Sequence, residues 1–289
     1  MADKKKIYHK NIEGNFFVDT TCIDCGTCYW MAPNTFKDGG EQSYVHHQPT
    51  SESEQKISYR ALLSCPTFSI GVREKPNWIN EIAQSFPYII DKNVYHCGYH
   101  SESSYGAASY LILDPRGNIL VDSPRYIPLL AKSIEKLGGI KYQYLTHKDD
   151  IADTDKFHEH FKSERIIHLD DTNSKTRNYE IILEGENSFQ LTDDSIIITV
   201  PGHTKGHTVL LYDQHFLFTG DHLAFSDQLN HLYAFKNACW YDFQTQIQSM
   251  EKLLQFKFCH VLPGHGAPLK CNFDQMVQQL QLCINWMKT

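Results

Sequence analysis

The stretch Leu145-Thr146-His147-Lys148-Asp149-Asp150-Ile151-Ala152-Asp153 decides how the chain is read. It places one histidine and three aspartates within seven residues, directly after the apolar, strand-like run Tyr142-Gln143-Tyr144-Leu145. Imidazole and carboxylate groups gathered at a strand end are suitable ligands for zinc or iron. The same residues also read as a strand end followed by an acidic, capped helix start. Taken alone, the stretch leaves both readings open.

Three later segments repeat the pattern. Thr199-Val200-Pro201-Gly202-His203-Thr204-Lys205-Gly206-His207 follows an apolar strand and turns at Pro-Gly to present His203, with Thr204 and His207 placed to support it. Phe218-Thr219-Gly220-Asp221-His222 offers a carboxylate at another strand end. Leu262-Pro263-Gly264-His265-Gly266 presents a histidine on a glycine-flanked turn. His222 reads either as a pocket group or as a plain loop residue, and Tyr233 and Trp240 either as cleft wall or as core. A single such histidine would be unremarkable. The full series, each member after an apolar strand, points to a metal centre.

Between these segments the chain alternates strands and helices. Val94-Tyr95-His96-Cys97, Tyr110-Leu111-Ile112-Leu113 and Ile119-Leu120-Val121-Asp122 read as a meander, with a turn at Asp114-Pro115-Arg116-Gly117-Asn118. Helices are expected over 128–137, 153–161, 243–254 and from Phe273 to Ile284, with further strands at 166–169, 195–200, 208–212 and 215–219. This order implies an α+β sandwich whose sheets carry helices on their outer faces.

The composition excludes several classes. The 289 residues carry a net charge of −7 with no basic stripe, which argues against a nucleic-acid partner. No apolar run reaches the ~18–20 residues of a membrane span, and no signal-like apolar segment follows Lys4-Lys5-Lys6. Nine cysteines without an even framework suggest a reducing, cytoplasmic setting. Three of them form Cys22-Ile23-Asp24-Cys25-Gly26-Thr27-Cys28, the spacing that wraps three corners of an iron–sulfur cube, and Cys65 before Pro66 is the candidate fourth ligand. A helix is expected from Glu54 to Leu63 with Ile57, Ala61 and Leu62 on one face. Cys97, Cys239, Cys259, Cys271 and Cys283 read as core residues. A linker near Gly71–Pro76 divides the chain into units 1–76 and 77–289.

The first unit resembles a bacterial single-cluster ferredoxin, through Phe17-Val18-Asp19, the cysteine triplet and Cys65-Pro66. The resemblance implies a [4Fe–4S] cluster used for electron transfer or sensing. Residues 90–270 resemble the metallo-β-lactamase superfamily, through Thr146-His147, the Pro201–His207 segment, Gly220-Asp221 and Pro263-Gly264-His265-Gly266, with Asp122 ending the matching strand. That resemblance implies an αβ/βα sandwich preceded here by a small ferredoxin-like domain. It also implies one or two iron or zinc ions at His147, His203, Asp221 and His265.

The chain departs from the family's His-x-His-x-Asp-His pattern. Asp149 stands at the second His, Ile151 at the Asp and Ala152 at the last His. Flavodiiron relatives carry an acid at the position of Asp149, so it remains a ligand candidate. Asp150 and Asp153 are candidates for ligand or general base if the loop is rewired. His147, His203 and Asp221 match the three positions used by the persulfide dioxygenase branch, a facial triad suited to non-haem iron. The expectation is therefore an oxidoreductase whose iron site is fed by the cluster, acting on a small molecule, with a possible protein redox partner. The alternatives are a zinc hydrolase of a thioester, lactone or phosphoester, and a non-catalytic electron carrier or redox sensor.

Overall fold

A computed structural model describes residues 2–289. The larger part is built on two facing sheets. The first has seven strands in the order Ile181–Leu183, Glu164–His168, Tyr142–Tyr144, Ile119–Val121, Tyr110–Ile112, Val94–His96, Tyr88–Asp91. The second has six: Phe189–Thr192, Ser195–Thr199, Thr208–Tyr212, Phe216–Gly220, His260–Pro263, Leu269–Lys270.

The sandwich follows from alternation along each strand. Tyr110, Ile112, Ile119 and Val121 of the first sheet meet Ile197, Leu210, Phe216 and Phe218 of the second in one buried core. Their neighbours face outwards. Leu111 and Leu120 pack under helices Pro128–Lys136 and Thr154–Phe161 through Leu130, Ile134 and Phe157. Ile198, Val209, Leu217 and Val261 pack under Phe243–Leu253 and Phe273–Met287 through Ile247, Met250, Met276 and Leu280. The antiparallel meander expected before Asp122 is present, and the parallel pairs that follow are crossed by helices. Among the described residues, no helix is long and apolar enough to cross a membrane.

The N-terminal part has its own core of Phe16, Val18, Phe36, Val45, Tyr59 and Ile70 around Cys28 and Cys65. The strand Phe16–Val18 pairs antiparallel with Ile70–Val72. Helix Glu52–Ser64 begins at Ser51 with a capping box to Glu54. Its buried face is Ser58, Tyr59, Ala61 and Ser64, whereas Ile57 is 39% exposed. The expected Ile57–Ala61–Leu62 stripe is thus rotated, because the Tyr59 ring fills the core against Phe16 at 4.8 Å. Helix Ile79–Gln84 lies beyond the expected linker, yet Ile79 and Ile82 pack into this N-terminal core.

One surface pair gives a simple test of acid sensitivity. Arg165 contacts Glu180 at 2.7 Å and Asp155 at 2.8 Å. Hydrogen bonding to Arg165 holds the Glu180 carboxyl down at about 2. A carboxyl lowered on folding contributes stability above its unfolded value of about 4.3, and loses it as pH falls towards the folded value. Arg165→Met is therefore expected to lower the urea midpoint at neutral pH. The difference from the native protein should shrink as pH falls from about 4.3 to about 2.

Candidate metal centre

Strand direction brings the candidate ligands to one edge of the sandwich. Ile119–Val121 and Tyr142–Tyr144 run parallel, so Asp122 and His147 leave on the same side. Phe216–Gly220 and His260–Pro263 are parallel, which places Asp221 beside His265. Ser195–Thr199 runs antiparallel to the Thr208–Tyr212 strand, itself antiparallel to Phe216–Gly220, so His203 emerges with them.

The ligand atoms of His147, Asp149 and His203 lie within 4.8 Å of one another, and those of His147, Asp150 and Asp221 do likewise. Asp221, a member of the second set, also reaches towards His203 of the first. Its Oδ2 is 3.7 Å from His147 Nε2 and 3.8 Å from His203 Nε2, and its Oδ1 is 2.7 Å from His265 Nδ1. His147 Nε2, both His203 ring nitrogens, His265 Nε2 and Asp150 Oδ2 are buried without a hydrogen-bond partner. Buried polar atoms are normally paired. A cluster of orphaned imidazole nitrogens and carboxylate oxygens fits one or two divalent ions.

The local electrostatics agree. Burial pushes His147 down to about 4, leaving the neutral imidazole a metal needs. His203 beside Asp149 holds that carboxyl below its usual range. Burial, reinforced by Asp221, drives Asp150 well above it. Burial works against the charged His265 ring, but Asp221 raises it to about 10.

Neighbouring groups fix the ligands. Thr146 donates its backbone N–H and its hydroxyl to Asp122 at 2.9 and 3.0 Å. Its oxygen is then left to accept from His147 Nδ1 at 3.0 Å, which turns the Nε2 lone pair towards the centre. Asp171, which the sequence did not single out, is fully buried and accepts from Thr204 Oγ1, Gly206 N and Lys148 N. It ties the two ligand loops together. Thr204 is thus linked through Asp171 to the loop that carries Lys148. His207 contributes by stacking on His147 at 4.8 Å. His222 is buried, and its backbone oxygen accepts from Gln246.

The two acidic candidates of the opening stretch part ways. Asp150 enters the site although Ile151 occupies the in-register position: the backbone turns at Ala152, with φ 32°, and Asp150 is left 1% exposed inside. Gly264 packs closely here: a Cβ there would lie 3.0 Å from Asp150 Oδ2 and 3.1 Å from Asp221 Oδ1. Asp153 is not brought to the site. Its carboxylate accepts from Tyr126 N at 2.8 Å and pairs with Lys156 at 2.9 Å, so it joins loop to helix instead of acting as ligand or base.

Cys22, Cys25, Cys28 and Cys65 converge on a small enclosed cavity, also lined by Thr27, Ser43 and Pro66. All are free thiols. Burial raises Cys22 and Cys28 and takes Cys25 to about 11, so a cluster must supply the charge that makes them thiolates. The donor set fits a four-cornered iron–sulfur cube. Cys97 and Cys283 are buried as expected, but Cys239, Cys259 and Cys271 are only half-buried.

The two centres share one cleft of about 870 Å³, walled by Cys25 and Gly26 on one side and by Asp149, Asp150, His203, Asp221 and His265 on the other. The loop from His100 to Gly106 stands between them. Gly106, at φ 88°, approaches Cys25 so closely that a Cβ would lie 2.9 Å from its Sγ. Tyr105 donates its hydroxyl to Ile23 O at 2.5 Å, with its ring 6.0 Å from that of His265. Behind the loop, Thr27 Oγ1 meets His100 Nδ1 at 3.0 Å, and His100 meets His96 at 3.0 Å. Tyr233 and Trp240 line the cleft; Trp240 is 64% exposed, so it is no core residue. Nothing local in the sequence marks Tyr29, Tyr105 or Lys148 as cleft residues.

Residues 18–72 match the family described as the 4Fe-4S single cluster domain of Ferredoxin I. No curated protein matches the chain. Among solved structures, VMB-1 at pH 5.5 is similar with a TM-score of 0.54 and 16% identity, over 70% of this chain and 96% of that one. DIM-1 metallo-β-lactamase exposed to ceftazidime aligns with a TM-score of 0.54 and 17% identity, over 69% of this chain and 94% of its own. The chain thus joins a 4Fe–4S single-cluster ferredoxin domain to a larger unit with the metallo-β-lactamase fold.

Proposed function

We propose that the protein is a cytoplasmic oxidoreductase in which the iron–sulfur cluster exchanges electrons with iron held at the second site. The observation that carries this reading is the shared cleft: a cluster ligand, Cys25, and five candidate metal ligands wall the same space. Iron bound there supplies one-electron chemistry, and two imidazoles with carboxylates leave coordination positions for a small substrate. The chain's own residues then have defined tasks. Asp122 and Thr146 orient His147, Asp171 holds the ligand loops in register, and the His100–Gly106 loop spaces the two centres. A protein redox partner would recharge the cluster.

The deciding experiment is metal analysis and electron paramagnetic resonance of anaerobically purified protein, before and after reduction. Iron beyond that of the cluster, with signals of both centres responding to one reductant, supports the reading. Stoichiometric zinc alone at the second site sinks it. Zinc would favour the second reading, a hydrolase, because Asp150 completes a second ligand set that the sequence register had lost. Zinc lowers bound water to a pKa near ~7.

Tyr105 offers a finer test. Tyr105→Phe removes its hydrogen bond to Ile23 O, a loss of about 0.5–1.5 kcal/mol in holding the cluster loop against the cleft wall. Amide exchange at residues 23–26 is expected to rise, and rapid-freeze spectroscopy should show slower electron exchange between the centres.

A further inference from the structure

We infer that the cleft between the two units binds a planar aromatic molecule carrying an oxyanion, with the anionic end at Lys148 and the metal ligands and the ring system reaching towards the cluster loop. This deepens the proposed function and rests on its shared cleft, but not on electron transfer itself.

The cleft volume of about 870 Å³ falls within the ~300–1,000 Å³ range of small-molecule sites. Its walls are aromatic and come from both units. Tyr29 is supplied by the ferredoxin domain, Tyr105 by the intervening loop, and Tyr233, Phe235 and Trp240 by the sandwich. Tyr233 and Phe235 meet edge to face at 4.9 Å. Trp240 is anchored above the metal ligands, its backbone N–H donating to His203 O at 2.8 Å, while its indole stays open to solvent. An anchored yet exposed tryptophan at a cleft mouth is unused stacking surface.

Charge sets the orientation. Among the described residues, the Lys148 ammonium has no carboxylate within ion-pair distance, although it sits between His147 and Asp149 on the cleft wall. At the cluster end the wall carries Asp24, which forms no ion pair among the described residues and disfavours an anion there, whereas Asp149, Asp150 and Asp221 at the other end would have their charge offset by bound metal. Between the ends, Ser104 Oγ is buried and has no partner, a polar group left for the ligand.

The test uses the full chain loaded with cluster and metal, titrated calorimetrically with 2-naphthoate and with 2-naphthylmethylammonium. Saturable one-to-one binding of naphthoate, tighter than the ammonium, is expected. Trp240→Leu and Tyr29→Leu should each weaken both probes by about fivefold, and Lys148→Met should weaken naphthoate alone. Naphthoate should also change the resonance lineshape of the reduced cluster. Absence of saturation, preference for the ammonium, or naphthoate binding untouched by both aromatic variants overturns the inference. Failure of the oxidoreductase reading would show instead in the metal content and in electron exchange measured without naphthoate.

Discussion

Asp150→Ala is expected to have opposite effects on the metal-free and metal-loaded protein. The Asp150 carboxyl is 1% exposed, its Oδ2 has no hydrogen-bond partner, and burial drives its pKa well above the ordinary range. A buried carboxyl in this state costs the metal-free fold about 1–3 kcal/mol. Removing it should therefore raise the thermal midpoint of the metal-free protein. The same change removes a ligand oxygen 4.0 Å from His147 Nε2 and from the set shared with Asp221. Metal affinity at that position should fall on the order of 100-fold or more, since even supporting residues around metal sites cost 10–100-fold. Mass-spectrometric metal counting after dialysis measures this directly. Ile151→Ala, at the in-register position, should leave the metal count unchanged. The reverse pattern would mean that the loop is not rewired.

Cys65→Ser is expected to cost the N-terminal domain its fold. A unit of this size has a marginal core on its own, and here Cys28 and Cys65 are part of that core, beside Phe16 and Tyr59. Without the cluster, the three thiols of Cys22, Cys25 and Cys28 remain around a cavity that burial makes hostile to their charged form. Metal binding is then part of the folding free energy. The variant should lose visible absorption, and protease should cut within residues 18–72 while the sandwich resists, because its cores are separate. The cleft should also loosen, since Gly106 and Tyr105 lean on Cys25 and Ile23. A fully protected N-terminal domain in Cys65→Ser would show that the cluster is not structural.

Much of this arrangement is written locally. The Cys22–Cys28 spacing points to a cube by itself, because three of the ligands are near neighbours and the turn chemistry is short-range, and Cys65-Pro66 supplies the fourth from the end of helix Glu52–Ser64. Strand alternation such as Tyr110-Leu111-Ile112 divides inner core from helix-covered face without knowledge of the partner sheet. His147, His203, Asp221 and His265 are legible as ligands because each ends an apolar strand, and the strands' shared direction carries them to one edge.

Only the tertiary structure decided what lies in the loops. Asp150 and Asp153 are equivalent candidates in sequence. One turns inward to lie against Gly264, more than a hundred residues away, and the other is held by Tyr126. The cleft depends on the ferredoxin domain lying against the sandwich, which places Tyr29 and Cys25 opposite Trp240 and His203. Periodicity and spacing record interactions between near neighbours. Where a loop side chain points, and which domain faces it, is set by long-range packing that no local pattern encodes.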